Sequence, residues 1–237
     1  MSHASIVPKV FHVIWVGDES RRPDNCIETW RALNPSWAIR IWDNDDLARG
    51  GWINARHMAE MSKREWNGVA DLMRWEILHR HGGFAIDADG YAVRRLPDSI
   101  FKGVSGSRSA RIFAGWENER VMPGLLAAGY VAALPGESFF LDLVRNLERQ
   151  PTVTNARAWQ TVGPLAFTQA YQSFVRRSEA GLFRVWPSHY FLPEHHSGVC
   201  YSGRGRVYGR QFWASTKKLY GCLHRARIPG TAEIVSR

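Results

Sequence analysis

The stretch from Trp66 to Leu96 constrains the fold more than any other part of the chain. At about 100° per residue, Val69, Leu72, Met73 and Ile77 fall on one side of a helix, and Asp71, Arg74 and Leu78 on the other. Glu76 interrupts the apolar side. The pair Gly82-Gly83 predicts a helix stop, because glycine enters the left-handed cap conformation without a Cβ penalty. The apolar run Phe84-Ala85-Ile86 then reads as a buried strand that ends at Asp87-Ala88-Asp89-Gly90.

On an extended chain, two carboxylates two residues apart point the same way. They repel unless a cation lies beside them. Mg²⁺ and Mn²⁺ prefer oxygen ligands, and Mg²⁺ takes one or two carboxylates together with substrate phosphates. A D-x-D at the carboxyl end of a strand therefore suits a metal–diphosphate site. An isolated D-x-D is more often a solvated turn, but the longer string A-D-x-x-R-(x)₇-G-G-F-x-x-D-x-D is far more specific.

That string resembles the DXD-containing glycosyltransferases, the family of fungal initiating mannosyltransferases and bacterial capsular polysaccharide sugar transferases. The large clostridial toxin glucosyltransferases carry a related core. Val69-Ala70 stands where the family has Ala-Ser, and Phe84 where it has Tyr. The opening, Val7-Pro8-Lys9 through His12 and Trp15 to Gly17, resembles the family's I-P-K-x-I-H-x-x-W-x-G. Asn34-Pro35-Ser36-Trp37 and Trp42-Asp43 follow its N-P-x-W and L-W-D. Beyond residue 97 the resemblance is patchy. Thr161-Val162-Gly163-Pro164 matches T-G-P with a valine inserted, and Val185 to Pro193 matches V-x-P-S-x-x-F-x-P. At the C-terminal motif, Gln211 replaces a histidine and Thr216-Lys217 replace Ser-Trp.

The resemblance implies an α/β, GT-A-like fold, a mostly parallel mixed sheet with helices on both faces. It implies one domain over 1–237, with 6–96 as the nucleotide-sugar and metal half and 97–237 as the acceptor side and C-terminal closure. The implied activity is metal-dependent transfer of a hexosyl unit from a nucleotide-diphosphate donor to a glycan, lipid-linked or protein acceptor, with retention, in polysaccharide or glycoconjugate biosynthesis. Asp87, Asp89 and Arg74 would be catalytic. Trp15, Gly17, Asp71, Arg74, Gly83 and Asp87 would bind donor. Asp87 and Asp89 would hold Mn²⁺ or Mg²⁺, with the Gln211 amide oxygen as a candidate third ligand. Lys217 or Lys218 could neutralise part of the leaving diphosphate. Trp15 is as readily a core residue as a base-stacking one, and Asp71–Arg74 as readily an i,i+3 ion pair.

Elsewhere the residues speak for themselves. Val10 to Val16 reads as a parallel strand buried on both faces. A helix is predicted from Asn25 to Leu33, with Ile27, Trp30, Arg31 and Leu33 inward. A strand follows at Ile39–Trp42, then an acidic cluster at Asp43–Asp46 read as turn and helix cap. Lys102–Arg111 reads as a loop, Ile112–Trp116 and Gly129–Ala133 as strands, and the segments from Ser138 and Leu165 as helices. Gly163 could present backbone N–H groups, or simply open a helix with Pro164. Glu194-His195-His196 offers three metal-ligating groups in what is more often a solvated loop.

No apolar run approaches 18 residues, and the first residues lack a signal-peptide pattern, so the expectation is a cytoplasmic protein without a membrane span. Three widely spaced cysteines suggest neither a disulfide framework nor a zinc site. Residues 151–237 hold 12 Lys/Arg and 3 Asp/Glu, whereas residues 1–150 hold 19 of each, so the net +9 lies in the last third. That basic third suits peripheral contact with an anionic membrane at its inner face. It lacks nucleic-acid-binding motifs, which ranks nucleic acid last among partners. Two other readings of the same carboxylates are a metal-dependent nucleotide phosphotransferase or hydrolase, and an inactive glycosyltransferase-like binding protein.

Overall fold

The alternation of side chains along β1 (Val10–Ile14) and β3 (Gly83–Ile86) sets up the two faces of one sheet. Phe11, Val13, Phe84 and Ile86 enter one buried cluster, whereas Ile14 and Ala85 enter the other. The computed structural model describes residues 7–102 and 110–228, so most of the loop read at Lys102–Arg111 lies outside the described residues.

The remaining strands are β2 (Ala38–Trp42), β4 (Gly90–Ala92), β5 (Ile112–Asn118), β6 (Met122–Ala133), β7 (Phe183–Trp186) and β8 (Gly209–Gln211). Six of the eight form one sheet in the order β2-β1-β3-β6-β5-β7. β1 pairs parallel with β2 and β3, and β5 with β7; β6 runs against both β3 and β5. The sheet is thus mostly parallel, as expected. β4 and β8 form a separate antiparallel pair, with Gly90 opposite Gln211.

The helices are α1 (Asp24–Leu33), α2 (Asn44–Ala48), α3 (Ala55–Met61), α4 (Trp66–His81), α5 (Ser138–Glu148), α6 (Ala158–Thr161), α7 (Pro164–Phe174) and α8 (Ala214–Lys217). α3, α4, α5 and α7 cover one sheet face, and α1 the other with an aromatic cluster that includes Trp30, Trp37, Trp186 and Phe191. In α1 Ile27 and Trp30 face inward as predicted, but Arg31 is exposed and pairs with Glu28 at 3.1 Å. A charged side chain there finds water more cheaply than the core. The acidic cluster is a cap: Asp43 and Asp46 form a reciprocal capping box at the start of α2. Among the described residues no helix is long and apolar enough to cross a membrane.

α4 departs from the two-sided helix of the sequence reading. Nearly all of Gly68 to Leu78 is buried, on both sides. The anomalous Glu76 is explained: its carboxylate accepts the backbone N–H groups of Ile53 and Asn54, both at 2.9 Å, at the entry to α3, and pairs with Arg80 at 2.7 Å. Trp75 stacks on Phe167 at 4.8 Å while its indole N–H donates to the Val162 carbonyl. Gly68 lets α4 approach α6. A Cβ there would lie 2.5 Å from Met61 Cγ and 2.8 Å from the Ala158 Cβ, of which only the methionine can swing aside. Gly68→Ala is therefore expected to lose more by overpacking than the roughly 1 kcal/mol that alanine gains in helix propensity. The expected net cost is about 1 kcal/mol, read as a lowered thermal midpoint; a raised one would contradict the tight α4–α6 contact.

Candidate active site

In open α/β sheets, ligands bind beyond the carboxyl ends of the strands. β1, β2, β3 and β5 run the same way, so Trp15 and Gly17, Asp43 and Asn44, Asp87 to Asp89, and Glu117 share one sheet edge. The chain does not stay extended through the D-x-D. Gly90 N–H donates to the Asp87 carbonyl at 3.0 Å, closing a turn, and β4 leaves from it. The two carboxylates are therefore set by a turn and its partners, not by strand alternation.

Arg74 reaches across from α4 to link two of the acids. Its Nη1 donates to Asp71 Oδ1 and its Nη2 to Asp87 Oδ1 at 2.6 Å, so Asp71–Arg74 is a buried bridge, not a surface pair. The second oxygen of Asp87 accepts from Gln211 Nε2 at 3.0 Å. Asp89 is only 3% exposed, and its Oδ2 accepts the Ala214 N–H at 2.6 Å, tying the D-x-D to α8. The C-terminal segment thus closes on both aspartates, through Gln211 and through Ala214.

Trp15 is half-buried at the end of β1, its ring edge-on to Tyr220 at 5.1 Å and its indole N–H donating to the Asp18 carbonyl. Gly17, at φ +98°, exchanges two 2.8 Å hydrogen bonds with the Asn44 side chain and lies under the Trp66 ring. Gly83 opens β3 at the end away from Asp87, packed on Val10 and His12, and is not brought to the carboxylates. Lys217 lies 3.8 Å from Glu194.

Glu117 and Gly129 escaped the sequence reading, and Gly163, read there as a helix entry or a source of backbone N–H groups, meets an acid instead. Glu117 ends an apolar strand run as Asp87 does, and the same rule would have found it. Gly129 and Gly163 make room for acids: a Cβ on Gly129 would strike the Asp87 carboxylate, and one on Gly163 would lie 2.6 Å from Asp71 Oδ2. Close approaches of this kind leave no trace in local sequence.

The electrostatics are unbalanced. Arg74 is the one Lys or Arg paired with Asp71, Asp87, Asp89 or Glu117 among the described residues. Burial pushes Asp71 up to about 7 despite Arg74, and pushes Glu117 up to about 7 with help from Asp87. Burial, then the charge of Asp87, raises Asp89 as well. The Tyr130 hydroxyl, pushed well up by burial and these charges, is buried without a hydrogen-bond partner. A site holding this much unneutralised carboxylate suits a hard cation. A groove of about 410 Å³ between α5 and α7 contains none of these groups.

A pH dependence follows. Carboxylates raised in the folded chain hold protons that the unfolded chain has already lost above about pH 4–5, so stability falls as pH rises toward and through about 7. His12, buried and lowered to about 4, works the other way below about pH 6.5. In chelator, the thermal midpoint is expected to fall between about pH 6.5 and 8, and Mn²⁺ to raise it more at the higher pH. A midpoint that rises over that window would contradict the raised carboxylates.

No protein-family model matches the chain, and no curated protein sequence does. Solved structures do. The PaToxG glycosyltransferase superposes with a TM-score of 0.54 at 15% identity, over 74% of this chain and 73% of that one. The glycosyltransferase domain of the YGT toxin, solved ligand-free and with UDP bound, gives 0.50 at 9% identity, over 77% and 80%. A glycosyltransferase involved in glycosylating the major capsid of PBCV-1 gives 0.51 at 10% identity, over 92% and 98%. At these identities the likeness speaks for architecture, and the chain has a GT-A-type glycosyltransferase fold.

Proposed function

We propose that the chain is a metal-dependent glycosyltransferase that moves a hexosyl unit from a nucleotide-diphosphate donor, with Asp87 and Asp89 at its centre. The observation that carries this reading is the cluster of Asp71, Asp87, Asp89 and Glu117 beyond the strand ends, with Arg74 bridging only the first two. The donor set is oxygen-rich and carboxylate-led, which fits Mn²⁺ or Mg²⁺. Such an ion supplies Lewis-acid stabilisation to a departing diphosphate. The UDP-bound YGT toxin domain, of similar fold, supports a nucleotide donor.

The chain's own groups take the remaining roles. Arg74 fixes the orientation of Asp87 and keeps Asp71 in place to meet donor hydroxyls. Trp15 offers a ring to the base at the end of β1, beside Gly17. Gln211 holds the second oxygen of Asp87, and its amide oxygen remains a candidate ligand. Lys217 or Lys218, in the segment after Ala214, would neutralise part of the leaving diphosphate. Retention rests on the family resemblance alone, with the departing phosphate acting as base. The acceptor is a glycan, a lipid-linked intermediate or a protein side chain in polysaccharide or glycoconjugate assembly. Exposed Arg204, Arg206 and Arg210 give the last third a basic surface suited to an anionic membrane on its cytoplasmic side.

The test is to incubate the chain and Mn²⁺ with UDP-, GDP- and CDP-sugars and the matching triphosphates, and to follow release of nucleoside diphosphate and of phosphate. Turnover of one sugar nucleotide with the triphosphates intact is expected. Phosphate release from triphosphates lacking a sugar would instead indicate a phosphohydrolase.

A further inference from the structure

Beside the aspartates, a second group of ligating side chains comes together from distant parts of the chain. Glu117 is the last residue but one of β5, and His195 and His196 sit in the loop after β7. One ligating atom from each lies within 4.8 Å of the others. We propose that Glu117, His195 and His196 form a second divalent-cation site, of the zinc class, separate from the oxygen-ligand site of Asp87 and Asp89.

His195 carries the argument. It is 1% exposed, yet its Nε2 has no hydrogen-bond partner. The nearest acid, Glu117 Oε1, is 3.5 Å away, too far for a good hydrogen bond. Two ligand atoms bound tetrahedrally to one zinc ion are about 3.4 Å apart, so the gap fits a shared ion. The other ring nitrogen, Nδ1, lies 2.8 Å from Ser197 Oγ. Without a cation Nδ1 also accepts the Ser197 N–H at 3.2 Å, so ligation by Nε2 requires the other tautomer, with Nδ1–H donating to the Ser197 hydroxyl in place of that bond, the outer-shell arrangement that orients metal-bound histidines.

The loop is built to hold this geometry. His195 N–H donates to the Val199 carbonyl and Gly198 N–H to the His195 carbonyl, both at 2.9 Å, with Gly198 at φ +89°. Trp213 packs edge-on against His195 and His196 at 5.3 and 5.2 Å, and its indole N–H donates to the Glu194 carbonyl at 2.8 Å. Glu194 itself turns away toward Lys217. His196 is exposed, which leaves an entry path and a fourth position for water. Two imidazoles and one carboxylate favour Zn²⁺, Co²⁺ or Ni²⁺, whereas the aspartates favour Mg²⁺ or Mn²⁺. The two sites would therefore sort two kinds of cation. Glu117 borders both groups, but His195 and His196 belong to this one alone, so variants at the histidines test it independently of the transferase reading.

The test uses the full chain, prepared without a histidine tag and stripped with chelator. Zn²⁺ is titrated against a chromophoric chelator, and Co²⁺ is followed by its visible absorption. One Zn²⁺ per chain and a tetrahedral Co²⁺ spectrum are expected. His195→Ala should weaken Zn²⁺ binding by at least about 100-fold, and Asp89→Asn should leave it unchanged. His196→Ala, at an exposed position that does not threaten folding, serves as the second variant and should also lose the Co²⁺ spectrum. Zn²⁺ affinity that survives both histidine changes, or that disappears with Asp89→Asn, would overturn the proposal.

Discussion

Asp89→Asn is expected to lower sugar transfer by about 10³-fold or more while leaving the fold intact. Asparagine keeps an oxygen that can accept the Ala214 N–H, so the tie between the D-x-D turn and α8 survives. What it removes is one charge from a site whose remaining purpose is to attract a cation. Burial already works against ionised Asp89, so the variant should also be at least as heat-stable as the wild type without metal at about pH 8. Steady-state rates, circular dichroism and thermal unfolding together check this. A normal rate with unchanged metal dependence would remove Asp89 from the site.

Arg74→Ala is expected to be strongly destabilising. The guanidinium is 5% exposed and bridges Asp71 and Asp87; removing it strands the buried Asp71 and the half-buried Asp87. Breaking a buried pair in this way costs about 3–5 kcal/mol, or roughly 10 °C in thermal midpoint for a chain of this size. The loss should be larger at pH 8 than at pH 6, because protonation neutralises the stranded Asp71, and Mn²⁺ should restore part of it. Arg74→Lys should recover little, since an ammonium cannot span both carboxylates with a planar fork. Thermal unfolding at the two pH values, with and without Mn²⁺, reads all of this. An Arg74→Ala variant as stable as the wild type at pH 8 would contradict the bridge.

Much of the fold over residues 7–96 was legible because its signals are local. The apolar runs of β1 and β3, the Gly82-Gly83 stop and the capping residues Asp43 and Asp46 each act within a few positions of themselves. The oddity of Glu76 was legible too, but its cause was not, since its partners Ile53 and Asn54 belong to another element. β6 was read as Gly129–Ala133 but runs from Met122; Pro123 and Gly124 disguise its start, where the strand is exposed. β8 is three residues long, too short for periodicity, and its place opposite β4 comes from tertiary pairing. The site was half legible. Asp71, Arg74, Asp87 and Asp89 stood in one string, and Gln211, singled out by motif position, donates its amide N–H to Asp87. Glu117, Gly129 and Tyr130 reach the site only through the sheet order β3-β6-β5, which no local pattern encodes. The histidines at 195 and 196 were read as possible metal ligands in what is more often a solvated loop. His196 is exposed, but His195 is buried under Trp213.

Asp87 and Asp89 are expected to bind a nucleoside diphosphate through a divalent cation. Calorimetric titration of UDP, GDP and CDP into the chain, with and without Mn²⁺, tests it most directly. One of the three is predicted to bind tightly with Mn²⁺ and to lose at least about tenfold in affinity without it, a difference of about 1.4 kcal/mol. Equal affinity in chelator and in Mn²⁺, or no binding of any of the three by the folded protein, would contradict the claim.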